Sequence, residues 1–141
     1  KGGEATTLTN IGAVYSALGE QQEALRYYTQ ALPLFRQVGD KGGEATTLTN
    51  LGAVYFALGD KQEALRYYTQ ALPLFRAVGD KDGEATTLHN LAHIYDDLGD
   101  LAPAEEYFKL SVELAEAIKT TSLQKYLTCL ERFQSKRSEA G

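Results

Sequence analysis

Apolar residues recur along this chain at helical spacing, in two stretches per 40 residues. Leu8, Ile11, Gly12, Tyr15 and Leu18 fall at i, i+3, i+4, i+7 and i+10 and line one face of a helix. Ala24, Leu25, Tyr28, Ala31, Leu32, Phe35 and Val38 do the same in the next stretch. Polar punctuation separates the stretches: Gly19-Glu20, Gly39-Asp40, Gly59-Asp60, Gly79-Asp80 and Gly99-Asp100. Each Gly suits the left-handed residue that closes a helix, and the acid after it can accept from the free N–H groups opening the next. Asp60 and Glu63 stand at capping-box spacing. Two-residue connections make consecutive helices antiparallel neighbours, so the pattern predicts helices over 4–18, 21–38, 41–58, 61–78, 81–98 and 101–118. Pro33 and Pro73 each remove one hydrogen bond inside the second helix of a pair. Because the apolar spacing carries through to Phe35 and Val38, a bent but continuous helix is expected there.

The period is also a period of identity. Residues 41–80 repeat residues 1–40 with five changes, Leu51, Phe56, Asp60, Lys61 and Ala77 replacing Ile11, Ser16, Glu20, Gln21 and Gln37. A third copy starts at Lys81. It matches the second at 13 of its first 20 positions and at 4 of its last 20, so its first helix is kept while its second has drifted and lost the mid-helix proline. Leu123, Tyr126, Leu127, Leu130 and Phe133 then form one further apolar stripe. Units that cannot bury their apolar faces alone must stack, and the last one needs a lid. The expected architecture is therefore all-α: repeats over 1–40, 41–80 and 81–120, a capping helix over 121–137 and a frayed tail, within Ser135–Gly141, over 138–141. Gly42-Gly43, in the first turn after Asp40, is expected to allow close packing between repeats. The first helix has no lid and is expected to expose a stacking surface.

Composition narrows the functional classes. With 43% apolar and 23% charged residues the chain is ordinary for a globular domain, and its net charge of −5 argues against nucleic-acid or anionic-membrane binding. No apolar run approaches the roughly 18–20 residues that span a bilayer. One cysteine, Cys129, rules out an internal disulfide and fits a reducing compartment, so a cytoplasmic location is expected. Methionine is absent, and the chain opens in mid-array, as expected of a piece of a longer protein. No set of nucleophile and base is legible and no cofactor is called for, which favours a non-enzymatic binding module.

At this point the residues resemble a known family. Leu8, Ile11, Gly12, Tyr15, Gly19, Ala24, Tyr28 and Ala31 match the pattern of a tetratricopeptide repeat, as do Leu48, Leu51, Gly52, Tyr55, Gly59, Ala64, Tyr68 and Ala71. Repeat three matches with Leu88, Leu91, Ala92, Tyr95, Gly99, Ala104, Phe108 and Ser111, departing at Ala92 and Ser111. The glycines and alanines let helices touch, and Tyr15 and Tyr28 are expected to fill the space between them. The usual period is about 34 residues. The longer unit here is similar to repeats of the kinesin light chain and of the LGN/Pins scaffolds, and its wording is similar to arrays in cyanobacterial multidomain proteins. The resemblance implies a right-handed superhelix of three antiparallel helix pairs whose first helices line a concave groove for a peptide or partner protein.

In the long-repeat families an Asn of the first helix grips the backbone of an extended peptide, which here implicates Asn10, Asn50 and Asn90. One carboxamide can donate to a carbonyl and accept from an N–H; a structural Asn bonding its own or the next helix is the alternative. On helical spacing the same wall carries Thr6, Thr9, Ala13, Ser16 and Ala17, then Thr46, Thr49, Ala53, Phe56 and Ala57, then Thr86, His89, His93, Asp96 and Asp97. Phe56 is the large apolar member and a candidate anchor. The first helices carry no Lys or Arg after their opening Lys, which disfavours the carboxylate clamp found in chaperone-binding relatives. His89 and His93 share a helix face at i, i+4 and could chelate a metal such as Zn²⁺ with Asp96 or Asp97 as a further ligand, the minor alternative to contacts with a peptide. Cys129 has no histidine near it in sequence and is expected to be a small half-buried residue. A second functional reading is self-association, chains stacking through the unlidded first helix.

Overall fold

The computed structural model describes residues 2–140, with side chains through Glu139. Seven α-helices make up the described residues: α1 (Gly2–Ala17), α2 (Gln21–Val38), α3 (Lys41–Ala57), α4 (Lys61–Val78), α5 (Lys81–Asp97), α6 (Leu101–Ile118) and α7 (Leu123–Ala140). None is long and apolar enough to cross a membrane. They fall into two compact units, Lys1–Asp80 and Lys81–Gly141. In the first, α1 pairs with α2, α3 with α4, and α2 packs on α3; in the second, α5 pairs with α6, and α7 packs on α6.

The punctuation works largely as the sequence suggests. Gly39 and Gly79 are left-handed, with φ of 72° and 73°, and their N–H groups return to carbonyls of Phe35 and Arg36 or Phe75 and Arg76. Asp40 accepts from the Gly43 N–H at 2.9 Å and Asp60 from the Glu63 N–H at 3.2 Å. Glu20 and Asp100 make no such side-chain bond. The Asp60–Glu63 pair is half a capping box, because the Glu63 carboxylate turns to Arg66 at 2.8 Å instead of back to the cap. At the end of α6 Lys119 takes the left-handed position with φ of 56°, where earlier repeats have Gly. Both α2 and α4 run unbroken past their prolines. The last helix does not fray at Ser135; it continues to Ala140, and Gly141 lies outside the described residues.

Packing sorts the tyrosines in a way the repeat pattern does not. In the first unit Tyr28 and Tyr68 are the buried tyrosine rings, lying against the backbone of Gly12 and Gly52, where a Cβ would come within 2.7 Å and 3.0 Å of them. Tyr15 and Tyr55, expected to be space-fillers, are half-buried and stack on Tyr27 and Tyr67 with ring centroids 5.5 and 5.3 Å apart. The core of the first unit gathers Tyr28, Leu32, Leu48, Leu51, Val54 and Phe75. In the second, Phe108 and Phe133 meet over Ala92 and Ala104, while Tyr126 meets Ala85, Val112 and Ala115.

Candidate functional site

The first helices carry the candidate wall. In the first unit Thr6, Asn10, Ala13 and Ala17 of α1 are exposed, as are Thr46, Ala53, Phe56 and Ala57 of α3; Ser16 and Asn50 are half-buried. Phe56 leaves 40% of its surface to solvent. Thr6, Thr9 and Asn10 line, with Thr46, a hollow of about 260 Å³ that Phe35, Asp40, Gly42 and Gly43 complete. Among the described residues the carboxamides of Asn10 and Asn50 have no hydrogen-bonding partner, whereas the threonines beside them are satisfied. Thr9 and Thr49 donate to the carbonyls of Ala5 and Ala45, each at 3.0 Å. Thr9 also lies 3.4 Å from the buried Thr47 hydroxyl of α3, so it belongs to a helix–helix contact as much as to the wall.

In the second unit the wall is different, because α7 covers much of it. Asn90 and Asp96 are half-buried and Asp97 is exposed. His89, expected on the open wall, is buried, with 4% of its surface accessible. The Tyr126 ring stacks on it at 4.3 Å and 22°, and the Tyr126 hydroxyl reaches Thr86 at 3.2 Å. Phe108 stands edge-on to both His89 and His93. Asp96 pairs with Lys136 of α7 at 3.6 Å.

Burial shifts both histidines in the same direction. It pushes the pKa of His89 down to about 4, aided by the neighbouring His93 and Lys125. It also lowers that of His93, against the pull of Asp97 and Asp96. The two Nε2 atoms lie 3.1 Å apart, a spacing at which one ring donates and the other accepts. Nδ1 of His89 is buried with no partner. The third potential metal donor beside them is Cys129 of α7 and not Asp97 of α5: donor atoms of His89, His93 and Cys129 lie within 4.8 Å of one another. Cys129 stands 36 residues after His93, so no local motif announces the group. The signal that could have found it is topological, since a lid helix must land on the last pair.

The chain resembles known proteins in sequence pattern and in fold. A family model described as "Tetratricopeptide repeat" matches residues 3–77 and again 43–117. No curated protein matches the sequence. Among solved structures, the apo form of RapI superposes with a TM-score of 0.90 at 19% identity, over 96% of this chain and 50% of that one. A Rap protein complexed with Competence and Sporulation Factor gives 0.85 at 19% identity, over 99% and 39%. The TPR2AB domain of yeast Sti1, in a complex with pHSP90, gives 0.81 at 21% identity, over 99% and 50%. The chain thus spans half or less of each of these proteins, and at such identities the likeness is one of fold.

Proposed function

The chain belongs to the tetratricopeptide-repeat family, and we propose that it is a protein-interaction module, not an enzyme, that takes an extended peptide along the face of its first helices. The observation that carries this reading is the pair of carboxamides, Asn10 and Asn50, which have no hydrogen-bonding partner among the described residues and lie on neighbouring first helices beside the exposed Phe56. Each carboxamide can grip one peptide unit of an extended strand, and Phe56 with Ala53 offers an apolar foothold for a side chain. Asn90 repeats the position in the second unit, with His93 and Asp96 beside it. The solved complexes of a Rap protein with Competence and Sporulation Factor and of the Sti1 domain with pHSP90 support the reading. A reducing location such as the cytoplasm suits the free thiol of Cys129.

Peptides selected on the intact chain from a random library test the reading. Asn50→Ala and Phe56→Ala are each expected to weaken a selected peptide tenfold or more while lowering unfolding free energy by no more than about 1 kcal/mol, as for partly covered side chains. Unchanged affinity together with a stability loss above about 2 kcal/mol for Asn50→Ala would make Asn50 a structural residue and end this reading.

A second reading rests on α1. Val14 is 59% exposed, while its counterparts Val54 and Ile94 are 1% exposed, and Leu18 beside it is also open. The face that is packed in α3 and α5 is bare in α1, so we also propose that it docks on a second copy of the chain. Light scattering over a concentration series should show mass rising with concentration, and Val14→Lys should abolish the rise. A monomer at every concentration removes this second role.

A further inference from the structure

We infer that His89 and His93 of α5 and Cys129 of α7 form a Zn²⁺ site that ties the last helix to the pair beneath it. The chain has two histidines and one cysteine in 141 residues, and all three converge here. The repeats that lack the lid lack the ligands: Thr9 and Thr49 stand where His89 does, and Ala13 and Ala53 where His93 does. The imidazoles therefore occur only on the helix face that α7 reaches.

The donor set and its spacing suit the metal. Zn²⁺ holds imidazole nitrogens at 2.0–2.1 Å in a tetrahedron, which sets two such nitrogens about 3.3 Å apart. The Nε2 atoms of His89 and His93 are already 3.1 Å apart. The thiol lies within 4.8 Å of both donors, so a modest turn of the Cys129 side chain closes the third ligand. One thiolate with two imidazoles is a borderline-soft set that prefers Zn²⁺ to Mg²⁺ or Ca²⁺, which want oxygen ligands. The fourth position falls to water.

The surroundings are preorganised. Tyr126 stacks on His89 and Phe108 stands edge-on to both rings, which fixes their planes before any ion arrives. His89 is buried and His93 half-buried within this cage. On binding, the Cys129 thiol gives its proton to solvent as the sulfur–metal bond forms, and the ring that donates in the His89–His93 hydrogen bond carries its proton on Nδ1 instead of Nε2, which frees both Nε2 lone pairs for the ion. The metal bridges two helices that are otherwise joined by packing and surface pairs, so it adds stability by mass action.

The test uses the whole chain, stripped with a chelator and titrated with Co²⁺ as a coloured stand-in for Zn²⁺. The expected result is a thiolate-to-cobalt charge-transfer band saturating at one ion per chain, displaced by Zn²⁺, with about one proton released per ion. Cys129→Ser should abolish that band and weaken Zn²⁺ binding tenfold or more, and His93→Gln should weaken it likewise, both variants keeping the far-ultraviolet helical spectrum. Zn²⁺ should raise the melting temperature of the natural chain and not that of Cys129→Ser. A titration without a saturable charge-transfer band, or Zn²⁺ affinity unchanged in Cys129→Ser, overturns the site.

Discussion

Phe108→Ala is expected to lower the unfolding free energy by about 3–5 kcal/mol, the range for deleting a buried aromatic ring. Phe108 is 1% exposed and sits where α5, α6 and α7 meet. Its ring lies 5.3 Å from that of Phe133 and 5.0 Å from that of His93. The smaller neighbours, Ala92 and Ala104, have no atoms to extend into the space the ring would leave. His89 stays stacked on Tyr126 in the variant, which holds that ring back from the space. The cost should therefore fall at the upper part of the range. Tyr107→Ala, one position away, supplies the contrast. That ring is half-buried and stacked on Tyr95 at 5.6 Å, and its loss should cost about 1 kcal/mol. Urea denaturation of both variants measures the difference. A Phe108→Ala loss below that of Tyr107→Ala would mean that α7 is not packed on the second unit as described.

The same contrast shows what could be read from the sequence and what could not. Periodicity located six helices and the lid because each helix buries one face, and a face leaves a trace every three or four residues. The close contacts at Gly12 and Gly52 were equally legible, since a residue without a Cβ in the middle of an apolar stripe implies a neighbour in its place. Which tyrosine fills the space was not legible. Tyr15 and Tyr28 both lie on apolar stripes, and only the helix–helix geometry puts Tyr28 inside and Tyr15 in a surface stack with Tyr27. The candidate wall was misjudged where the repeat ends. Thr9 and His89 occupy one position of the repeat, yet one meets a threonine of the next repeat and the other the aromatic ring of a lid with an unrelated sequence. Period alone predicts the same surroundings for both. The convergence of Cys129 on the histidines is hidden for the same reason, as α7 belongs to no repeat.

Gly42→Ala and Gly43→Ala are expected to move stability in opposite directions although the two glycines are adjacent. Both lie in the first turn of α3, where replacing Gly by Ala removes freedom from the unfolded chain and gains about 0.5 kcal/mol. At position 42 nothing opposes the gain: the nearest atom to a new Cβ is an Asp40 carboxylate oxygen at 3.6 Å, an ordinary contact. At position 43 the new Cβ would lie 2.4 Å from Cδ1 and Cε1 of Phe35 and 2.9 Å from Asp40 Oδ2. Phe35 is buried among Ala5, Ala31 and Leu34 and has little room to retreat. Forcing it aside costs about 1–3 kcal/mol. The Asp40 carboxylate, which accepts from the Gly43 N–H at 2.9 Å, must shift as well, putting at risk a cap worth about 1 kcal/mol. The clash outweighs the entropic gain, so Gly43→Ala should lose about 2 kcal/mol net. Thermal and urea unfolding of the two variants would settle the sign of each. If Gly43→Ala were as stable as Gly42→Ala, α2 and α3 would not approach as closely as this account of the first unit requires, and the hollow beside Asn10, which Phe35, Asp40 and Gly43 complete, would lose its shape with them.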